Sequence, residues 1–173
     1  NMPNLDLVAR RTNLETDAEC VCCAWWNLLT VDQEFLPGWR ESKFPGGCAH
    51  AGELETSLYM YLDGDHVRHD QIKSGVVSFN EEESPFQWID LFAAGPASVI
   101  SWTSSYSETG VLGEAELASP EKGQQVYDEA VRQLIRFVTW FKDRPKDQRR
   151  DHHQKPPTMP IPWGQVDIKS SND

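Results

Sequence analysis

No apolar run in the 173-residue sequence approaches the ~18 residues that a membrane-crossing helix requires, so the sequence reads as a soluble protein. Basic residues are few. The 16 Lys and Arg stand against 27 Asp and Glu, and the resulting net charge of −11 repels a phosphate backbone, which argues against nucleic acid as a partner. Cysteine is scarce too: Cys20, Cys22, Cys23 and Cys48 include no CxxC pair and follow no secretion signal. A disulfide framework is therefore not expected, and a reducing cytoplasm is the expected location. Methionine is missing from position 1, where Asn1 stands, which reads as a processed or truncated chain. Internal repeats are absent. Hydrophobic residues make up 39%, below the usual range for a self-sufficient domain, so the core is expected to be completed by a partner.

What is present alternates between helical and strand-like patterns. Leu5, Leu7, Val8 and Ala9 predict a short amphipathic helix to about Thr12. The run AECVCCAWW, 18–26, is apolar on both alternating faces and predicts a central strand of a parallel sheet. Pro37, Gly38, Pro45, Gly46 and Gly47 predict a long loop over FLPGWRESKFPGG. In GELETSLYMYL, Leu54, Leu58, Tyr61 and Leu62 recur at helical spacing and predict a helix with one buried face. FQWIDLF and ASVISW suggest a short apolar element and a strand, separated from that helix by a polar stretch. Ser119 and Pro120 supply a cap and a first helical residue, and Val126, Ala130, Leu134, Val138 and Phe141 supply the predicted buried stripe of a helix to 142. From Lys146 onward, prolines block regular helix, and Ile161 and Trp163 suggest a tail that straps onto a neighbouring subunit. The pattern predicts an α/β class.

Three stretches carry a family resemblance. AHAGELETSLYMYL resembles the segment of the creatininase family in which a His, four intervening residues and a Glu introduce a helix; here these are His50 and Glu55. GVLGEAELASPEKGQQVYDEAV resembles the segment leading into the family's last helix, and CCAWWNL resembles a strand ending in an active-site tryptophan. Asn1 falls where the family closes a His-Gly-Gly-Asn turn, so residues 1–145 resemble the C-terminal half of the domain, with 146–173 as the unmatched tail. The fold implied is a layered α/β/α arrangement with a mostly parallel sheet, incomplete without an N-terminal segment.

The resemblance implies a dinuclear hydrolase with two divalent metal ions (Zn, Mn or Fe). Most of the ligands would come from the absent N-terminal segment, as a fragment of the same protein or a companion subunit, and the assembly would be a homo-oligomer. Glu55 is the implied metal ligand, a carboxylate suited to a hard or borderline divalent ion. Seen without the resemblance, a Glu in a helix's first turn merely complements the helix dipole. His50 is the implied proton-handling residue at the scissile group; the plainer alternative is a His lining a loop. Trp26 is the implied substrate-packing residue, though an aromatic beside Trp25 in a buried strand also reads as core. Glu53 is a weaker candidate, because two residues from Glu55 it points elsewhere on the helix. His66 with His69 and the run 81–83 read as solvated segments, His152 and His153 as tail, and Cys20, Cys22 and Cys23 as small core residues.

Where creatininase proper clamps creatinine with a Trp-Asp pair, this sequence reads PGGCAH, which argues against creatinine as substrate. The leading expectation is hydrolysis of a C–N bond, of a cyclic amide or related small molecule, by metal-activated water. The alternatives are a non-catalytic interaction subunit that keeps the scaffold and a hydrolase that opens a cyclic ketone at a C–C bond.

Overall fold

The structure is a computed structural model that describes residues 2–75, 86–97, 102–105 and 107–145. The tail with His152, His153, Ile161 and Trp163, the acidic run 81–83, most of ASVISW and Asn1 lie outside the described residues. The chain forms two compact units, one of Asn1–Ala24 with Trp140–Asp173 and one of Trp25–Thr139.

In the first unit, α1 runs over Met2–Glu15, longer than the short helix expected. Arg10 pairs with Asp6 and Arg11 with Glu15, both at i,i+4 spacing on the exposed surface, where solvent screens them. The segment after it is not the predicted central strand. Residues 17–24 carry no regular secondary structure, and the backbone of Cys20 is held by the Asn13 side chain, which accepts its N–H at 2.7 Å and donates to its carbonyl at 2.8 Å. A strand needs a neighbour to satisfy its ladder, and here a side chain takes that part. Trp25–Thr30 then forms a 3₁₀ helix that opens the second unit.

The second unit is built around Leu29, Trp39, Cys48, Leu54 and Val126, with Trp25, Phe35, Leu58 and Phe92 packed against them. Its first α-helix, α2, spans Phe35–Trp39, inside the predicted loop. Pro37 is tolerated because it sits in the first turn, where its missing N–H has no intrahelical acceptor to lose. After α2, residues 40–47 are fastened by three carboxylates instead of being left to solvent. Glu53 accepts N–H groups of Glu41 at 3.0 Å and Ser42 at 2.9 Å, Glu114 accepts that of Lys43 at 2.5 Å, and Asp90 accepts that of Gly46 at 2.8 Å. Arg40 in turn grips Asp90 with both guanidinium NH2 groups, at 3.1 and 2.6 Å.

Strand β1 (Cys48–His50) and helix α3 (Glu53–Asp63) follow. The predicted helix is present, but its buried face turns toward Glu53, Leu54 and Ser57, leaving Tyr61 and Leu62 exposed. Strands β2 (Ile89–Asp90) and β3 (Ala93–Ala94) form an antiparallel hairpin, and β4 (Leu112–Gly113) pairs antiparallel with β1. The described residues thus combine helices and strands, but their named sheets are two small antiparallel pairs, with one parallel bridge between Gln87 and Ala97; the layered, mostly parallel sheet is not formed by them. The run 18–26 misled because its apolar residues are not buried: Val21 and Cys23 are exposed and Cys20 and Cys22 only half-buried, so these cysteines are not the small core residues expected.

Helix α4 covers Pro120–Asp143, as the cap signal predicted, and the Ser119 hydroxyl accepts the Lys122 N–H at 3.2 Å. Of its predicted stripe only Val126 is fully buried; Leu134 and Val138 are 44% and 53% exposed. Gly123 sets how closely α4 meets α3, since a Cβ there would overlap the Ser57 carbonyl. Gly123→Ala is therefore expected to push the two helices apart and destabilise the protein by about 1–3 kcal/mol, as a lowered urea midpoint with an unchanged slope would show.

No helix among the described residues is long and apolar enough to cross a membrane. All four cysteines are free thiols.

Candidate functional site

His50 ends β1, opposite Leu112 of β4; the strand's register shifts between Cys48 and His50, which breaks its alternation and leaves Cys48 buried and His50 exposed. Burial pushes the Cys48 thiol up to about 12, so it remains protonated at neutral pH and serves as a core residue. Between β1 and α3 the chain turns sharply through Ala51, whose φ of 50° lies in the left-handed region that residues with a Cβ rarely occupy. Two side chains hold that turn. Glu55 accepts the Ala51 N–H at 2.5 Å, and the Thr56 hydroxyl donates to the Ala51 carbonyl at 3.0 Å. Glu55 is thereby positioned by the same turn that presents His50.

Both residues line one open cleft of about 650 Å³. Thr56 and Tyr59 of α3, Val111 and Ala115 also line it, as do Val67, Arg68 and Asp70 to Lys73 of the segment 67–73. That segment is brought back toward β4 by the Gly75 N–H, which donates to the Gly113 carbonyl at 2.8 Å. Gly113 has φ 139° and no room for a Cβ against the Gly47 carbonyl, so glycine is required at this crossing.

The other sequence candidates fall elsewhere. Trp26 is half-buried in the 3₁₀ helix, edge-on to Trp25 at 6.0 Å between ring centroids, and is not among the residues lining the cleft. Glu53 is fully buried on another side of α3. Besides its two backbone N–H partners it takes the Lys122 ammonium at 2.5 Å. Burial alone would raise its pKa, but the hydrogen bonds from Lys122, Ser42 and Glu41 outweigh it and hold the carboxyl below its usual value. Its bonds tie the loop to α3 and α4. His66 bonds Asp63 at 2.6 Å, and a ring nitrogen of His69 lies 3.3 Å from the Gly64 carbonyl, so both histidines fasten the turns after α3. Reading the sequence missed Thr56, Tyr59, Arg68, Asp70 and Lys73 as cleft residues. No spacing signal marks 67–73, because its place depends on a backbone bond to a glycine 38 positions away.

Metal chemistry can be tested against the donors present. Glu55 offers a second carboxylate oxygen beyond the one engaged by Ala51, which suits one ligand of a divalent ion. Among the described residues, however, no group of three or more His, Cys, Asp or Glu side chains converges on one point. Were such an ion bound at this turn, Glu55 would be one of its ligands.

Comparison with known proteins adds independent findings. The chain is 31% identical over 105 residues to the mycofactocin precursor peptide peptidase of Mycobacterium tuberculosis, covering 58% of this chain and 38% of the relative. It is 30% identical over 108 residues to the protein of the same name from Mycolicibacterium smegmatis, covering 62% and 39%. The chain thus spans less than two fifths of these relatives' length. No solved structure matches it. The family model described as creatinine amidohydrolase matches residues 1–138, and on that match the chain belongs to the creatininase family.

Proposed function

We propose that this chain forms part of a metal-dependent hydrolase that cleaves a C–N amide bond, with His50 handling the proton and Glu55 as a metal ligand. The observation that carries the reading is the convergence of His50 and Glu55 on one cleft through the strained turn at Ala51. A static, well-supported turn costs nothing to reorganise during reaction, which is what a positioned acid–base group needs. His50, exposed at the strand end, can take a proton from the attacking water or deliver it to the departing nitrogen. Tyr59 and Thr56 line the wall beside Glu55 and would orient the substrate amide.

When bound, divalent ions (Zn, Mn or Fe, two in the family reading) would supply a Lewis acid and lower the pKa of a bound water. The remaining ligands would come from a segment outside these residues, as a fragment of the same protein or a companion subunit. The same segment would supply the strands of a layered, mostly parallel sheet. The relatives' peptide peptidase activity favours a peptide over a cyclic amide as the substrate class. Trp26 as a substrate-packing residue would require a bound substrate to reach beyond the cleft described here.

The test is hydrolysis of a short-peptide panel by the full-length protein, followed by mass spectrometry with added Zn²⁺ or Mn²⁺ and again after chelation. Cleavage that chelation abolishes and metal restores supports the reading. Intact peptides under metal-replete conditions would overturn it. They would favour an interaction subunit instead, a reading supported by the exposed apolar Leu134, Ile135 and Val138 of α4.

A further inference from the structure

The cleft that holds His50 and Glu55 also carries two cations of the segment 67–73, Arg68 and Lys73. Both are exposed, and among the described residues neither meets a carboxylate. Arg10, Arg11, Arg40, Lys122, Arg132 and Arg144 are each paired with an acid; Lys43, Arg136 and Lys142 lack one among the described residues, as Arg68 and Lys73 do, but only Arg68 and Lys73 line the cleft. In a chain of net charge −11, acids are plentiful, and Asp70 lies on the same segment without engaging either cation. The segment's own turns are closed by backbone bonds, from Gln71 to the Arg68 carbonyl and from Ile72 to the His69 carbonyl, while His69 reaches back to the Gly64 carbonyl; none of these engages the Arg68 or Lys73 side chain, and both line the cleft.

We infer that Arg68 and Lys73 form a subsite for a free carboxylate on the substrate, so that the hydrolase acts on an amide whose molecule also bears a carboxylate. This rests on the amide-hydrolase reading above. An Arg guanidinium meets a carboxylate through two parallel N–H donors, and Lys adds a point charge. Glu55 and Asp70 line the same cleft, so its formal charges are two of each sign. With the charges balanced, a phosphate dianion is attracted and repelled in the same proportion as a monoanion, so the acid's advantage over phosphate comes from the rest of its molecule, which lies along the cleft toward His50. At about 650 Å³ the cleft lies within the size range of sites for small ligands, so one molecule can reach from the reacting amide to the cations. The carboxylate fixes which end of the substrate faces His50.

The experiment titrates N-acetyl-alanyl-alanine, its C-terminal amide and inorganic phosphate into full-length, metal-loaded protein by calorimetry, with each mixture then analysed for hydrolysis by mass spectrometry. The acid is expected to bind about 10-fold or more tightly than the amide and more tightly than phosphate. The Arg68→Gln/Lys73→Gln double variant should erase that preference and leave the circular dichroism melt unchanged. If the double variant fails to fold, Arg68→Gln and Lys73→Gln singly carry the comparison, each expected to narrow the preference. Equal affinity for acid and amide, no binding of either, tighter binding of phosphate, or a preference that survives both substitutions overturns the subsite. A preference without hydrolysis keeps the subsite and removes the hydrolase reading, whereas hydrolysis without a preference does the reverse.

Discussion

His50→Ala is expected to reduce turnover of a cleaved peptide by about 10²–10⁴-fold while leaving folding and metal content unchanged. His50 sits at the exposed end of β1 with no hydrogen bond to its ring among the described residues, so its removal breaks no structural contact. The loss should fall on kcat, because a group that moves a proton in the transition state contributes little to binding the ground state. Steady-state kinetics with metal analysis of the same preparation separates the possibilities. Turnover within a factor of about two of the parent would make His50 a lining residue and move the proton transfer to another group in the cleft.

Lys122→Met is expected to destabilise the protein by about 3–5 kcal/mol, because it strands the fully buried Glu53 carboxylate. The lower end of that range is anticipated, since Glu53 keeps the N–H groups of Glu41 and Ser42. The loss would spread. Glu53 joins residues 41–42 to α3, and Lys122 joins both to α4, so one substitution loosens three parts of the second unit. Chemical denaturation of the full-length protein measures this, and the companion Glu53→Gln/Lys122→Met variant should recover much of the loss by removing the buried charge. A change below about 1 kcal/mol for Lys122→Met would show that the carboxylate finds water or another donor.

Helices α3 and α4 were legible in the sequence, as was the short turn that brings His50 and Glu55 to one cleft. The Ser119 cap and Pro120 marked the start of α4, and the apolar spacing around Leu54 and Leu58 marked α3, because capping and helical periodicity are local. His50 and Glu55 were legible for the same reason: the turn joining them closes within six residues, through Ala51, Glu55 and Thr56. The family resemblance was legible in the same short motifs. Tertiary structure alone decided the rest. Whether AECVCCAWW became a strand depended on a neighbour to pair with, and Asn13 satisfied the Cys20 backbone instead. The role of Glu53 depended on Lys122, 69 positions away, which made it a tie between loop and helices and not a ligand. The segment 67–73 is tied to β4 by the Gly75–Gly113 hydrogen bond, and the cations at 68 and 73, polar loop residues in one dimension, line one cleft with His50 in three. Periodicity and capping act over a few residues, whereas burial, charge pairing and the shape of a cleft are set by groups that only folding brings together.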